Sequence, residues 1–199
     1  MSNLLPHLVI FARRPRLGEG KRRLARDIGN TGALWFQRRA IAMLKRELGG
    51  DPRWRPWIAA TPAGSAGWTA PFQAIQQGGG DLGMRLNHVL DRLPRAPVIV
   101  IGSDAPHVRA QDIADALAAL RRHDAVAGPA CDGGFWLIGL RRPDRLRPFS
   151  GVRWSTSHTL DDVRRNLSGH RTAFLRPLED VDDGESLRRF RQRPSATTT

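Results

Sequence analysis

Five stretches of the sequence hold residues whose types suit chemistry on a phosphorylated ligand. The first, FARRPRLGEGKRRLA (Phe11 to Ala25), carries Gly18, Gly20, Arg13, Arg14, Arg16, Arg22, Arg23 and Lys21, one of only two lysines in the chain. Glycines there allow close backbone approach. Lys21 and Arg23, with the amides of a following helix start, would hold a phosphate chain. The stretch is not the P-loop pattern, and a plain basic surface loop is the alternative. Its position directly after a strand favours phosphate. The second stretch is IGSDAP (Ile101–Pro106). A carboxylate at the end of an apolar strand is placed to hold a divalent metal over a phosphate, and Asp104 is that carboxylate. The alternative is that Asp104 or Ser103 only caps the next helix. His107, a lone loop histidine, is read as solvated.

In the third stretch, GPACDGGFWLIGL (Gly128–Leu140), two glycines after Asp132 permit a tight turn that brings amides against a ligand. Asp-Gly is also a common hairpin signal. Cys131, the only cysteine, has no histidine partner nearby and is read as a bystander. The fourth stretch, WSTSHTL (Trp154–Leu160), offers three hydroxyls and a histidine at a helix start. These suit an anion, or simple capping by Ser155 or Ser157. The fifth, LEDVDDGESL (Leu178–Leu187), holds Asp180, Asp182 and Asp183. They supply a further metal ligand or cap the last helix.

Elements that must position these residues alternate along the chain. HLVIFA (His7–Ala12), PWIAAT (Pro56–Thr61), FQAIQQ (Phe72–Gln77), PVIVIGSD (Pro97–Asp104), DAVAGP (Asp124–Pro129), FWLIGL (Phe135–Leu140) and TAFLRPL (Thr172–Leu178) read as strands. Between them lie helical patterns. One is capped by Asn30 or Thr31 and runs to about Leu48, with Leu34, Ile41, Leu44 and Leu48 as its stripe. Another is capped by Asp81 and carries Leu82, Leu86, Val89 and Leu90. Others span about Gln111–Arg122, open at Ser155 or Ser157, or start at Gly184. This alternation predicts a three-layer α/β/α domain over residues 1–193, around a mostly parallel sheet, with residues 194–199 a disordered tail. In such sheets ligands bind beyond the carboxyl ends of strands. That rule selects the loops after Ala12, around Asp104 and after Pro129.

The net charge is +13, from 32 basic and 19 acidic residues, which raises a nucleic-acid reading. Arginine doublets are spread along the whole chain, however, and no helix-turn-helix or zinc-ligand spacing appears, so nucleic acid is not the expected partner. No run approaches the roughly 18 apolar residues of a membrane helix, and no secretory signal is seen at the N-terminus. With a single cysteine, the expectation is a cytoplasmic protein. Oligomeric state is not indicated.

Taken in order and spacing, these stretches resemble a group of bacterial GT-A-like transferases. Members are usually labelled glycosyltransferases, some in an arsenosugar context, and are similar to phospholactate and, more distantly, molybdenum-cofactor guanylyltransferases. The pattern F-A-K-x-P-x-x-G-x-x-K-T-R-L is met by Phe11, Ala12, Pro15, Gly18, Lys21, Arg23 and Leu24. G-D-L-G-x-R is met by Gly80–Gly83 and Arg85, and G-S-D-x-P by Gly102–Asp104 and Pro106. The G-P-A-x-D-G-G block, W-S-T-S and D-V-D fall at Gly128–Leu140, Trp154–Ser157 and Asp180–Asp182. Arg13, Arg22 and His107 depart from it, standing where lysine, threonine and an acid are usual.

The resemblance implies a GT-A nucleotide-diphospho-sugar transferase fold. It implies a nucleotide or nucleotide sugar held by Arg13, Gly18, Lys21, Arg23 and Asp81, and Mg2+ or Mn2+ on Asp104 and Asp182. It also implies a small-molecule acceptor near Gly133, Gly134, Ser155 and Thr156. No residue is an obvious general base, and Asp132 is the best candidate. Glycosyl transfer is the favoured reaction on fold analogy. Nucleotidyl transfer with pyrophosphate leaving, and a binding protein that has kept the fold without turnover, are the alternatives.

Overall fold

The computed structural model describes residues 4–62 and 67–192. The expected tail at 194–199 lies outside the described residues. The strands are β1 (His7–Arg13), β2 (Arg55–Thr61), β3 (Gln73–Gln76), β4 (Val98–Gly102), β5 (Ala125–Pro129), β6 (Phe135–Leu140) and β7 (Thr172–Phe174). The helices are α1 (Arg22–Leu48), α2 (Leu82–Leu90), α3 (Ala110–Leu120), α4 (Thr159–Asn166) and α5 (Gly184–Gln192). The strands form one sheet in the order β3-β2-β1-β4-β6-β5-β7. All pairings are parallel except those of β6, which runs antiparallel to β4 and β5.

The apolar runs of β1 and β4 are continuous because both faces of those strands are covered. Leu8, Ile10, Ile99 and Ile101 pack with Ile41, Leu44 and Leu48 of α1 and Ile113, Ala116 and Leu120 of α3. Their alternates Val9, Val98 and Val100 pack with Leu86, Val89 and Leu90 of α2, Val163 of α4 and Leu167 at its C-terminal cap. The period-two exchange of faces makes the sheet the middle of three layers. Each fully buried aliphatic side chain contributes about 1.5–3 kcal/mol. A third, smaller cluster joins Leu24, Ala33, Phe36 and Ala40 of α1 to Val181 and Leu187. It holds Val181 and the start of α5 against α1.

Four local features differ from the sequence pattern. Helix α1 begins at Arg22, not at Asn30 or Thr31, and is broken at Gly29 (φ 76, ψ 162). Its first segment carries too few apolar residues to show a period. It is held by Leu24 in the third cluster and by Asp27 Oδ2, which accepts from Gly184 N at 2.6 Å. Leu82 begins α2 but is 40% exposed and faces a cavity rather than the core. Neither Ser155 nor Ser157 caps α4, whose N-cap position is His158. The last strand is short, and only an isolated bridge between Ala130 and Leu178 extends its course.

Candidate functional site

The carboxyl ends of β1, β2 and β4 come together by register, Arg13 beside Thr61 and Phe11 beside Gly102. Backbone bonds tie the segments that leave them. Arg14 N donates to Thr61 O at 2.8 Å, Ser103 N to Phe11 O at 3.2 Å, and Val181 N to Asp104 O at 3.0 Å. Above this edge lies a cavity of about 540 Å3. Arg13, Gly20, Lys21, Arg22, Arg23, Ser103, Asp104, Asp182, Leu82 and Arg85 all line it. The basic loop and the Asp104 strand end, far apart in sequence, therefore face one space.

Lys21 sits at the centre. Its backbone is left-handed (φ 44, ψ 43), a conformation that costs a non-glycine residue about 1–2 kcal/mol. Its ammonium is 2.9 Å from Asp104 Oδ1, 2.7 Å from Asp182 Oδ1 and 2.7 Å from the carbonyl of Val181. The side chain is only 7% exposed. Burial alone would lower its pKa, but the Asp104 and Asp182 carboxylates outweigh that and hold the ammonium above its ordinary range. Nearby, Asp180 is pushed up to about 7 by burial and by the charges of Asp104, Asp182 and Asp132, with Lys21 offsetting part. Four aspartates thus share one neighbourhood. Asp183 does not join them. It accepts from Ser186 N at 2.8 Å and from the Ser186 hydroxyl at 2.7 Å at the start of α5, bonds that hold its carboxyl low, and it pairs with Arg23, whose charge adds to the effect.

Among the described residues, no group of three or more histidine, cysteine, aspartate or glutamate side chains is arranged to hold a metal ion. Two carboxylate oxygens, of Asp104 and Asp182, do converge on one cationic point, occupied by the Lys21 ammonium. Hard oxygen donors in that number fit Mg2+, which takes one or two carboxylates and fills its shell with water and phosphate.

The other expected residues lie on four connecting segments, those before α1, before α2, between β5 and β6, and before α4. Asp81 accepts from Met84 N at 2.8 Å and caps α2. Gly18 stands at φ 76 with open space around it. Asp132 Oδ1 accepts from Gly134 N at 2.9 Å. Gly133 meets the 154–158 loop backbone to backbone: a Cβ on it would lie 2.3 Å from Ser157 O, and its own carbonyl accepts from Leu160 N at 2.9 Å. Ser155 is exposed and left-handed (φ 59). The Thr156 hydroxyl donates to Arg153 O at 2.9 Å. The whole loop is anchored by buried Asp162, which accepts from Arg153 N, its guanidinium and Arg165, bonds that hold its carboxyl far below the usual range. The turn holding Asp132, Gly133 and Gly134 thus abuts the loop holding Ser155 and Thr156, and the Asp132 charge reaches Asp180, but none of these five expected residues lines the cavity over β1, β2 and β4.

Sequence reasoning missed Thr61 and Gln77, which line the cavity with Phe36 and Gln37. Gln77 is buried, and its amide donates to Ala59 O at 2.7 Å and Ala12 O at 3.3 Å, bridging β2 and β1. The strand-end rule applied to β2 and β3 would have found both residues.

Solved structures share this architecture. A provisionally named nucleotide-diphospho-sugar transferase from Desulfovibrio desulfuricans G20 is similar at 27% identity and TM-score 0.83, over 97% of this chain and 89% of that one. A 4-diphosphocytidyl-2C-methyl-D-erythritol synthase from Anaerococcus prevotii DSM 20548 aligns at 8% identity and TM-score 0.65, over 95% and 96%. A CMP:2-keto-3-deoxy-manno-octonic acid synthetase, complexed with CTP, aligns at 14% and 0.59, over 94% and 97%. The last two share the fold. No curated protein matches the sequence. No helix among the described residues is long and apolar enough to cross a membrane. Residues 42–156, more than half of the 199, match the family described as "Uncharacterized protein conserved in bacteria", and the chain belongs to that family, DUF2064.

Proposed function

We propose that the protein is a nucleotide-using transferase that takes a nucleotide sugar as donor, needs Mg2+ or Mn2+, and passes the sugar to a small-molecule acceptor. One observation carries this reading: one cavity at the carboxyl edge of the sheet is lined both by the basic loop and by the Asp104–Asp182 pair. Likeness to the Desulfovibrio protein supports a nucleotide-sugar donor.

In this reading Arg13, Arg22 and Arg23 bind the donor diphosphate, with guanidinium forks suited to phosphate oxygens. Gly18 and Gly20 let the loop approach, and Asp81 fixes the end of α2 from which Leu82 and Arg85 face the donor. Asp104 and Asp182 hold the divalent cation, which when bound neutralises charge on the leaving diphosphate. An acceptor hydroxyl sits on the rim made by Gly133, Gly134, Ser155 and Thr156. Its oxygen bonds to the anomeric carbon as the bond from that carbon to the diphosphate breaks, and Asp132 accepts its proton. The products are the glycosylated acceptor and a nucleoside diphosphate.

Nucleotidyl transfer is the second reading. Arg13, Lys21, Arg22 and Arg23 line one cavity, and so many cations suit a triphosphate. The acceptor would then attack the α-phosphorus and pyrophosphate would leave. Product analysis with labelled donors over an acceptor panel separates the two. Acceptor-dependent release of UDP or GDP from a nucleotide sugar is the expected result. Pyrophosphate with a nucleotidylated acceptor would replace the proposal with the second reading, and no turnover with any donor would leave a binding protein.

A further inference from the structure

We infer that Lys21 is the resident cation of the Asp104–Asp182 pair, so that the site admits a divalent metal only together with a nucleotide whose phosphates draw the ammonium away. This rests on the nucleotide-transferase reading and adds the order of binding. The two carboxylate oxygens that would ligate a metal are the two that Lys21 already holds, at 2.9 and 2.7 Å, and its third contact is the Val181 carbonyl at 2.7 Å. The Phe36 ring lies on a further side, 5.9 Å from the nitrogen to the ring centre. A metal needs those oxygens at about 2.0–2.1 Å for Mg2+, so ion and ammonium cannot share the point.

Lys21 must therefore move before a metal enters, and its surroundings decide when it can. The space it lines is also lined by Arg13, Arg22, Arg23 and Arg85. Without an anion there, an ammonium leaving two carboxylates would enter a ring of like charges, with a dication taking its former place. A nucleotide's phosphates reverse that balance, giving Lys21 new acceptors and the metal its remaining ligands. Lys21 thus links the two ligands: it keeps the carboxylates neutralised until a nucleotide arrives and then joins the phosphates.

Electron paramagnetic resonance of Mn2+ tests this on the full chain, with UDP and GDP as probes and each nucleotide in buffer as control. Wild type alone is expected to hold Mn2+ about tenfold or more weakly than wild type with a bound nucleotide. Lys21→Met without nucleotide is expected to bind Mn2+ at least about tenfold more tightly than wild type, and adding Asp104→Asn should remove the gain. Wild type binding Mn2+ equally well with and without nucleotide would overturn the inference, and that arm stands even if Lys21→Met fails to fold. A folded Lys21→Met that binds Mn2+ no better than wild type would also overturn it. Failure of the transferase reading looks different: neither nucleotide binds wild type, and the variant arm alone then decides whether Lys21 and metal compete.

Discussion

Replacing Gly133 by alanine tests whether the 130–134 turn and the 154–158 loop must touch backbone to backbone. The added Cβ would lie 2.3 Å from Ser157 O, 2.6 Å from its Cα and 2.7 Å from its carbonyl carbon. None of these is the end of a flexible side chain, so the loops must part by about 1 Å to restore ordinary contact. Gly133 also has φ +86, which costs an alanine about 1 kcal/mol more. With the usual 1–3 kcal/mol or so for overpacking, the expected loss is about 2–4 kcal/mol, a fall in melting temperature of roughly 5–12 °C. The bond from Leu160 N to Gly133 O, at the start of α4, stretches with it. Because Gly133 is not among the residues lining the nucleotide cavity, nucleotide affinity should stay at the wild-type value. Acceptor-dependent turnover should fall, up to about 100-fold for a displacement of this size. Calorimetry, nucleotide titration and initial rates on one preparation check all three. A wild-type melting temperature, or lost nucleotide binding with turnover intact, would refute the reasoning.

Asp104→Asn should abolish metal-dependent nucleotide binding and keep the fold, since the backbone bond from Val181 to Asp104 O survives; unchanged Mn2+ dependence in a nucleotide titration would contradict it. Gln77→Leu removes the amide that bridges Ala59 O and Ala12 O; a loss of about 1–3 kcal/mol in denaturant unfolding is expected, and an unchanged midpoint would count against the bridge. His7 accepts from Trp57 Nε1 at 3.0 Å and lies 3.1 Å from Pro94 O, and burial lowers its pKa from the ordinary 6.5. The unfolded chain then binds the extra proton first, so this part of the stability is present above about pH 6.5 and lost as pH falls toward the lowered folded value. Unfolding measured between pH 8 and 5 should show that slope and His7→Gln should flatten it; equal slopes would exclude His7 as its source.

The sheet was readable because its central strands are buried on both faces, which writes HLVIFA and PVIVIG as apolar runs. Asp81 as a cap, and the acid at the end of β4, follow from local chemistry and stand where the sequence puts them. The first segment of α1 was hidden because its support is distant: Leu24 packs on Val181 and Leu187, and Asp27 holds Gly184. The same holds for Lys21. Its type and place announced a phosphate ligand, but its partners lie 83, 160 and 161 positions away, and no local pattern encodes that convergence. Thr156 and Asp132 were legible as polar groups on loops. That their oxygens already hold Arg153 and Gly134 is a property of the folded loops.

Thermal unfolding of wild type with UDP, GDP, CTP and their sugar conjugates, each with and without Mn2+, tests the central claim most directly. The account predicts that at least one raises the melting temperature saturably and more strongly with Mn2+ than without it, by several degrees at about 100 times its Kd with Mn2+ present, where binding stabilises by about 2.7 kcal/mol. Stabilisation by none of them, or a shift that Mn2+ leaves unchanged, would contradict it.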